Sequence, residues 1–226
     1  MQTHTKYWFL EGFNLFKKLG HLQMMRMCEI LEMENIDKGE VISLDCQDKK
    51  NIFFLKRGAV KIVDKSSNTV KYVVKRGNIF GELALYDASA SENEIAYALQ
   101  DCVICYIEAD RMESLMEKHK SLKNGVLKVY GIRIKKLERR LHDLFYKDSA
   151  TRIQEFTMDY LDEFGEDDGK GGLVAKNLLT HKDIAQLTST SRQTVSNVLS
   201  GLRKAKCIDY NSELIATKKL TTGSQQ

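Results

Sequence analysis

The stretch Leu179-Thr180-His181-Lys182-Asp183-Ile184-Ala185, continuing through Gln186-Leu187-Thr188-Ser189-Thr190 to Ser191-Arg192-Gln193-Thr194-Val195-Ser196-Asn197-Val198-Leu199, holds two helix starts separated by one short turn. Thr180 with Asp183 makes a capping-box pattern, Asp standing where Glu or Gln is usual, and it opens a helix carrying Ile184 and Ala185. Ser189-Thr190 supplies the turn, and Ser191 caps the second helix. There Val195, Val198, Leu199 and Leu202 recur at helical spacing and form an apolar back. Arg192, Gln193, Ser196, Asn197 and Ser200 gather on the opposite side, at about 100° per residue. Solvated helix faces ordinarily carry Glu and Lys, whereas Arg, Gln, Ser and Asn are the side chains that reach base edges in a DNA major groove. Small Ala185 lets the two helices cross closely. Downstream, Cys207 to Tyr210, a turn at Asn211-Ser212 and Leu214 to Ala216 predict a β-hairpin, the wing of a winged helix. The same module used only for protein contacts is the alternative.

Upstream of this stretch, Arg152 to Phe164 reads as a helix with its cap in Asp148-Ser149-Ala150-Thr151. The acidic, glycine-rich run from Gly165 to Gly172 reads as an exposed, disordered loop rather than a metal site. Charge is uneven here: residues 148–168 hold at least seven acids against one Arg, and residues 169–226 hold nine Lys and Arg against three acids. From about Ser121 a helical period runs through Leu127, Tyr130, Ile134, Leu137, Leu141 and Leu144, an a/d seam over nearly three heptads. Lys128, Arg133, Lys135, Lys136, Arg139 and Arg140 fall off the seam as a solvated face. The seam predicts pairing with an identical helix, and so a two-fold homodimer; a core helix packed on its own domain is the alternative. The helix is expected to stop near Lys147, which makes Asp148 a hinge.

The first 110 residues read as short strands broken by glycine turns, after a helical stretch from about His21 to Glu32. Val41 to Leu44, Ile52 to Leu55, Val60 to Val63 and Val70 to Val74 are β-branched or aromatic runs of strand type. Lys38-Gly39, Arg57-Gly58 and Arg76-Gly77 recur at equal intervals, each before the chain re-enters an apolar run, as if one turn were used three times along a β-roll. With no proline in the chain, Gly, Asn and Ser make the turns.

With 226 residues, 42% hydrophobic and 29% charged, the chain can bury two small cores. A net charge of +4 is modest support for an anionic partner. No apolar run reaches roughly 18 residues and the N-terminus lacks a secretory layout, so a cytoplasmic protein with no membrane partner is expected. The five cysteines suit reduced thiols. Cys102 and Cys105, within an expected strand from Asp101 to Ile107, would point to opposite faces as buried core residues. No catalytic constellation is visible, no metal site is expected from His21, His119 and His142, and no cofactor is implied.

Nearly the whole chain resembles the Crp/Fnr family of bacterial regulators. The helix-turn-helix from Ile184 to Leu202 follows the family pattern, and Gly77-Asn78-Ile79-Phe80-Gly81-Glu82-Leu83-Ala84-Leu85 is similar to the segment opening its phosphate-binding cassette. The resemblance implies an α+β fold: an N-terminal cyclic-nucleotide-binding-like β-roll over residues 1–120, a dimerisation helix over 121–147, and a winged helix-turn-helix over 148–226. It implies double-stranded DNA with a palindromic operator as partner, and RNA polymerase as a further one. Arg192, Gln193, Ser196 and Asn197 would face bases, and Ser191, Thr194, His181 and Lys182 the phosphates. Gly81, Glu82, Leu83, Ala84, Glu92 and Asn93 mark the candidate effector pocket. In cyclic-AMP-binding members an Arg-Ser pair meets the cyclic phosphate where this chain has Glu92 and Asn93, and a Thr-Ser pair touches adenine where it has Leu137 and Glu138. A unit charge pair near 4 Å is worth about 4 kcal/mol at an effective dielectric of about 20, so a carboxylate there reverses a term of that order. Gly81 and Glu82 then read as structural and the effector is unknown. A cyclic-nucleotide receptor with a C-terminal protein-interaction module is the competing reading.

Overall fold

The computed structural model describes residues 7, 10, 13, 16, 20–46, 49–81, 85, 93–169 and 171–217. Two compact units divide the chain, Met1–Glu138 and Arg139–Gln226. The first contains α1 (His21–Ile30), β1 (Glu32–Ile36), β2 (Val41–Ile42), β3 (Asp45–Cys46), β4 (Lys49–Arg57), β5 (Ala59–Asp64), β6 (Thr69–Lys75), β7 (Ile79–Phe80), β8 (Glu94–Ala98), β9 (Cys102–Glu108), α2 (Ala109–Lys118) and most of α3 (Lys120–Tyr146).

Its strands form two antiparallel sheets, ordered β1-β9-β4-β3 with β7 also on β4, and β2-β8-β5-β6. The apolar run in β4 serves both faces of its sheet. Phe53 and Leu55 join Val60, Ile62, Phe80 and Ile104 in a core between strands, while Ile52 and Phe54 join Met27, Met112, Leu122 and Val126 under the helices. Cys102 and Cys105 are buried in these two different clusters, on opposite faces of β9, and burial raises the Cys102 thiol. The helix read to Glu32 ends at Ile30, because Glu32 already pairs with Tyr106 in β9. The helix α2 is not expected from the sequence.

The repeated glycines make the turns expected of them, with φ of 90° at Gly39, 92° at Gly58 and 82° at Gly77. Gly58 is also pressed against β9: a Cβ there would lie 2.5 Å from Cys102 Sγ and 2.8 Å from the Asp101 carbonyl oxygen. Nothing lies within 4 Å of the corresponding position at Gly39 or Gly77.

The second unit comprises the end of α3, α4 (Ser149–Phe164), β10 (Glu166–Asp167), β11 (Leu173–Lys176), α5 (His181–Thr188), α6 (Arg192–Lys204), β12 (Ile208–Tyr210) and β13 (Leu214–Thr217). Its sheet runs β10-β11-β13-β12, so the expected wing is there with two further strands. In the acidic stretch read as a disordered loop, the described residues include β10, which pairs with β11; Asp167 Oδ1 accepts from the Gly169 N–H (2.8 Å), and Asp168 Oδ1 from the Gly172 N–H (2.9 Å). Tyr160 ties α4 to this sheet by donating to the Lys176 carbonyl at 2.6 Å. Ile153, Leu161, Val195, Leu199 and Ile208 make the core.

Gly58→Ala should lower unfolding free energy by about 2 kcal/mol or more, because strain at positive φ adds to a clash with backbone. Gly77→Ala should cost only about 1 kcal/mol. Urea denaturation of the two variants checks this, and equal losses would refute the close approach at Gly58.

Candidate nucleic-acid interface

The two helices of the C-terminal unit are started by side chains. Thr180 Oγ1 accepts from the Asp183 N–H at 3.1 Å, while Asp183 Oδ2 accepts from the Thr180 N–H at 2.9 Å, which completes the capping box at α5. Asp serves where Glu is usual because Asp183 is buried and also accepts from the Thr180 hydroxyl. Ser191 Oγ accepts from the Thr194 N–H at 3.0 Å and starts α6. Between them Ser189 takes the left-handed conformation, with φ 52°.

In α6, Val195 and Leu199 are buried while Arg192, Gln193 and Asn197 are exposed; Thr194, Ser196 and Ser200 are half-buried at the edges. The reading of a packed back and a polar front therefore describes this helix. Gln193 Nε2 donates to Asn197 Oδ1 at 2.9 Å, which sets the two amides side by side on the front. Lys182 is exposed and His181 half-buried at the start of α5. Next to them opens a cleft of about 420 Å³, lined by Thr180, His181, Arg203, Tyr210 and Asn211 among others. The Arg203 guanidinium lies 5.9 Å from the Tyr210 ring centre and 3.4 Å from Asp209 Oδ1. Arg203 and Tyr210 were missed in sequence, though a basic residue in the last turn of the second helix was a signal for the first.

Also missed were the groups that hold the turn. Arg152 donates to the carbonyl oxygens of Thr188 (3.1 Å), Ser189 (3.2 Å) and Lys147 (2.6 Å), and Arg140 donates to that of Gln186 (2.9 Å). These cations close the negative end of α5. Asp148 caps α4 by accepting from the Thr151 N–H at 2.7 Å, a bond that lowers its pKa. Lys147 bridges Asp143 (2.7 Å) and Glu155 (2.5 Å), and it holds the Asp143 carboxyl below the usual carboxylate range.

Along α3 the seam residues Leu127, Ile134, Leu137, Leu141 and Leu144 are exposed, from 39% at Leu144 to 63% at Leu137. Tyr130 differs: it is half-buried against the core of the first unit, below Leu122 and Val126. Ile132, Phe145 and Tyr146, outside the seam as read, are exposed as well. Of the candidate effector pocket, Gly81 and Asn93 are described, whereas Glu82, Leu83, Ala84 and Glu92 lie outside the described residues. Gly81 has φ 76°, and a Cβ there would lie 2.5 Å from the Asn51 carbonyl oxygen, so packing alone requires glycine. Asn93 accepts from the Lys65 N–H at its backbone carbonyl (2.8 Å). Among the described residues no group of three or more His, Cys, Asp or Glu could hold a metal ion, and no helix is long and apolar enough to cross a membrane.

A two-sheet roll and a winged helix-turn-helix, linked by a helix with an exposed apolar stripe, define a class of regulators. The family model for the cyclic nucleotide-binding domain matches residues 33–119, and that for the Crp-like helix-turn-helix domain residues 157–221. The global nitrogen regulator of Synechococcus elongatus is 24% identical over 216 residues, covering 94% of this chain and 95% of that protein. The fold is like that of a CooA mutant from Carboxydothermus hydrogenoformans, with a TM-score of 0.69 at 19% identity over 94% of this chain and 92% of that one. It is also like FixK2 from Bradyrhizobium japonicum, with a TM-score of 0.70 at 15% identity over 84% of this chain and 93% of that one. The chain belongs to the Crp/Fnr family, whose members are transcription regulators rather than enzymes.

Arg152→Met should lower unfolding free energy by about 1.5–3 kcal/mol, since charge-assisted bonds to three carbonyls are lost. It should also weaken DNA binding without altering a side chain on the front of α6. Thermal unfolding and a DNA-binding isotherm test both, and an unchanged melting temperature would show that Arg152 does not hold the turn.

Proposed function

We propose that this chain works in the cytoplasm as a homodimeric, sequence-specific DNA-binding regulator whose sensor domain does not take cyclic AMP. The observation that carries the reading is the front of α6, where Arg192, Gln193 and Asn197 stand exposed over a buried apolar back. Arg192 reads a guanine through O6 and N7, and the paired amides of Gln193 and Asn197 suit adenine N6 and N7. Ser196 borders the same front. Ser191, Thr194, His181 and Lys182 serve phosphates, and the cleft beside His181 admits backbone groups of the duplex. Dimerisation through the exposed stripe of α3 sets two half-sites about one helical turn apart, roughly 34 Å, on a palindromic operator. RNA polymerase is the partner through which a bound dimer acts.

Against cyclic AMP stand Glu92, where a cation would meet the phosphate, and Leu137 and Glu138, where hydroxyls would meet adenine. Gly81, which this chain keeps from the cassette together with Glu82, is accounted for by packing.

Binding-site selection from random duplex DNA is the test. Arg192→Ala should cost about 1–3 kcal/mol and relax one base position, while Lys182→Ala should weaken all sequences alike and flatten the salt dependence. Full specificity in the Arg192 variant would overturn the assignment of the front. Leu141→Lys should convert the dimer to monomer in sedimentation, because it buries a charge against its symmetry mate. Calorimetry should find no micromolar site for cyclic AMP.

A further inference from the structure

Glu94 begins β8 on the face it shares with Ala96 and Ala98, which belong to the inner core of the roll, and is 1% exposed. Its Oε1 is ion-paired to Lys71 Nζ of β6. Its Oε2 has no hydrogen-bond partner, and it is the one buried side-chain oxygen or nitrogen among the described residues of which that is true. Native structures rarely leave a charged acceptor so, because the cost of its desolvation is not recovered.

The groups around it come from two elements, β6 and α3. Lys71 is the extra residue where the β5–β6 register shifts, between the pairs Ile62 with Tyr72 and Val63 with Val70. A bulge of this kind re-aims a side chain. Lys71 keeps 38% of its side-chain surface, so the cluster opens to solvent on that side. Tyr72 lies close enough to feel the Glu94 charge; burial first, then Glu94 against the opposing Arg133, leave its hydroxyl at about 12, a proton donor at neutral pH. Arg133 of α3 stacks 4.4 Å from the Tyr72 ring centre and donates to Tyr72 Oη (3.1 Å) and the Ile79 carbonyl (2.9 Å).

Among the described residues, two cations and one carboxylate with an open oxygen are thus grouped about Tyr72. A lone anion would face Glu94, and a lone amine would face Lys71 and Arg133. A molecule bearing both an ammonium and a carboxylate answers each charge with its opposite. We propose that this cluster is a binding site for a small zwitterionic amino acid, whose ammonium donates to Glu94 Oε2 while its carboxylate lies in the field of Lys71 and Arg133. The site rests on the reading that the sensor does not take cyclic AMP. Since Arg133 stands on α3 beside Ile134, occupancy reaches the apolar stripe through a single residue.

The test is thermal-shift and calorimetric titration of the full chain with each common L-amino acid at millimolar concentration, with acetate, methylamine and cyclic AMP as controls. At least one amino acid should bind saturably while acetate and methylamine do not. Glu94→Gln, which places an N–H where Oε2 stood, should weaken that binding about tenfold or more. Arg133→Met should act in the same direction and serves if the first variant misfolds; folding is checked by circular dichroism and by DNA affinity without ligand. No response to any amino acid, or equal binding by the folded variants, overturns the site, and a water on Oε2 would give that result. Saturable cyclic AMP binding would overturn the underlying reading and the site with it. DNA binding with no amino-acid response removes the site and leaves the regulator standing.

Discussion

A helix of two turns does not hold itself together in water, since nucleation is costly and few of its backbone groups find partners within it. The C-terminal unit is arranged around such a helix, α5, and both of its ends are closed from outside. At the start, Thr180 and Asp183 satisfy each other's backbone N–H groups. At the finish, Arg140 and Arg152 take the carbonyls of Gln186, Thr188 and Ser189. That closure fixes the left-handed turn at Ser189 and with it the direction in which Ser191 launches α6. Arg152 also holds the Lys147 carbonyl at the end of α3, so one guanidinium braces the break between α3 and α4 and the turn before α6.

The parts legible in sequence are those whose physics is local. Caps at Thr180, Ser191 and Asp148 depend on a residue and its next three neighbours, and each forms as its residues suggest. Positive φ at Gly39, Gly58 and Gly77 was legible because a glycine recurring in equal rhythm, each time just before a strand, points to one turn used repeatedly. The parts that escaped depend on distant partners or lack a signal. The helix α2 follows Glu108, whose side chain makes no cap. β1 buries just Ile36 fully, so it shows no clear alternation, and it exists because β9 pairs with it. β11 has four residues and gains its place from β13, about forty residues on. Arg140 and Arg152 were read as solvated or passed over because their carbonyl partners lie 46, 36 and 37 residues away.

The long helix shows how one seam can be right in kind and differ along its length. Leu122 and Val126 are fully buried in the first unit, and Tyr130 is half-buried there, so the opening turns of α3 are core. From Ile134 onward the apolar residues are exposed, and the polar ones are spent on the second unit, where Arg139 meets Asp159 of α4 and Lys147 bridges Asp143 and Glu155. A period of three and four residues cannot report which neighbour an apolar residue will meet.

The bond between Gln193 and Asn197 has a consequence for how sequence would be discriminated. In the unbound protein each amide already satisfies part of the other. An adenine edge presented to them would replace an existing contact instead of filling a vacancy, so the net return on a correct base would be an exchange energy, and a wrong base would leave the two amides content with one another. Recognition of that kind would tolerate mismatches softly and would make the two positions a single thermodynamic unit, whose response to paired substitutions would not be the sum of the separate ones.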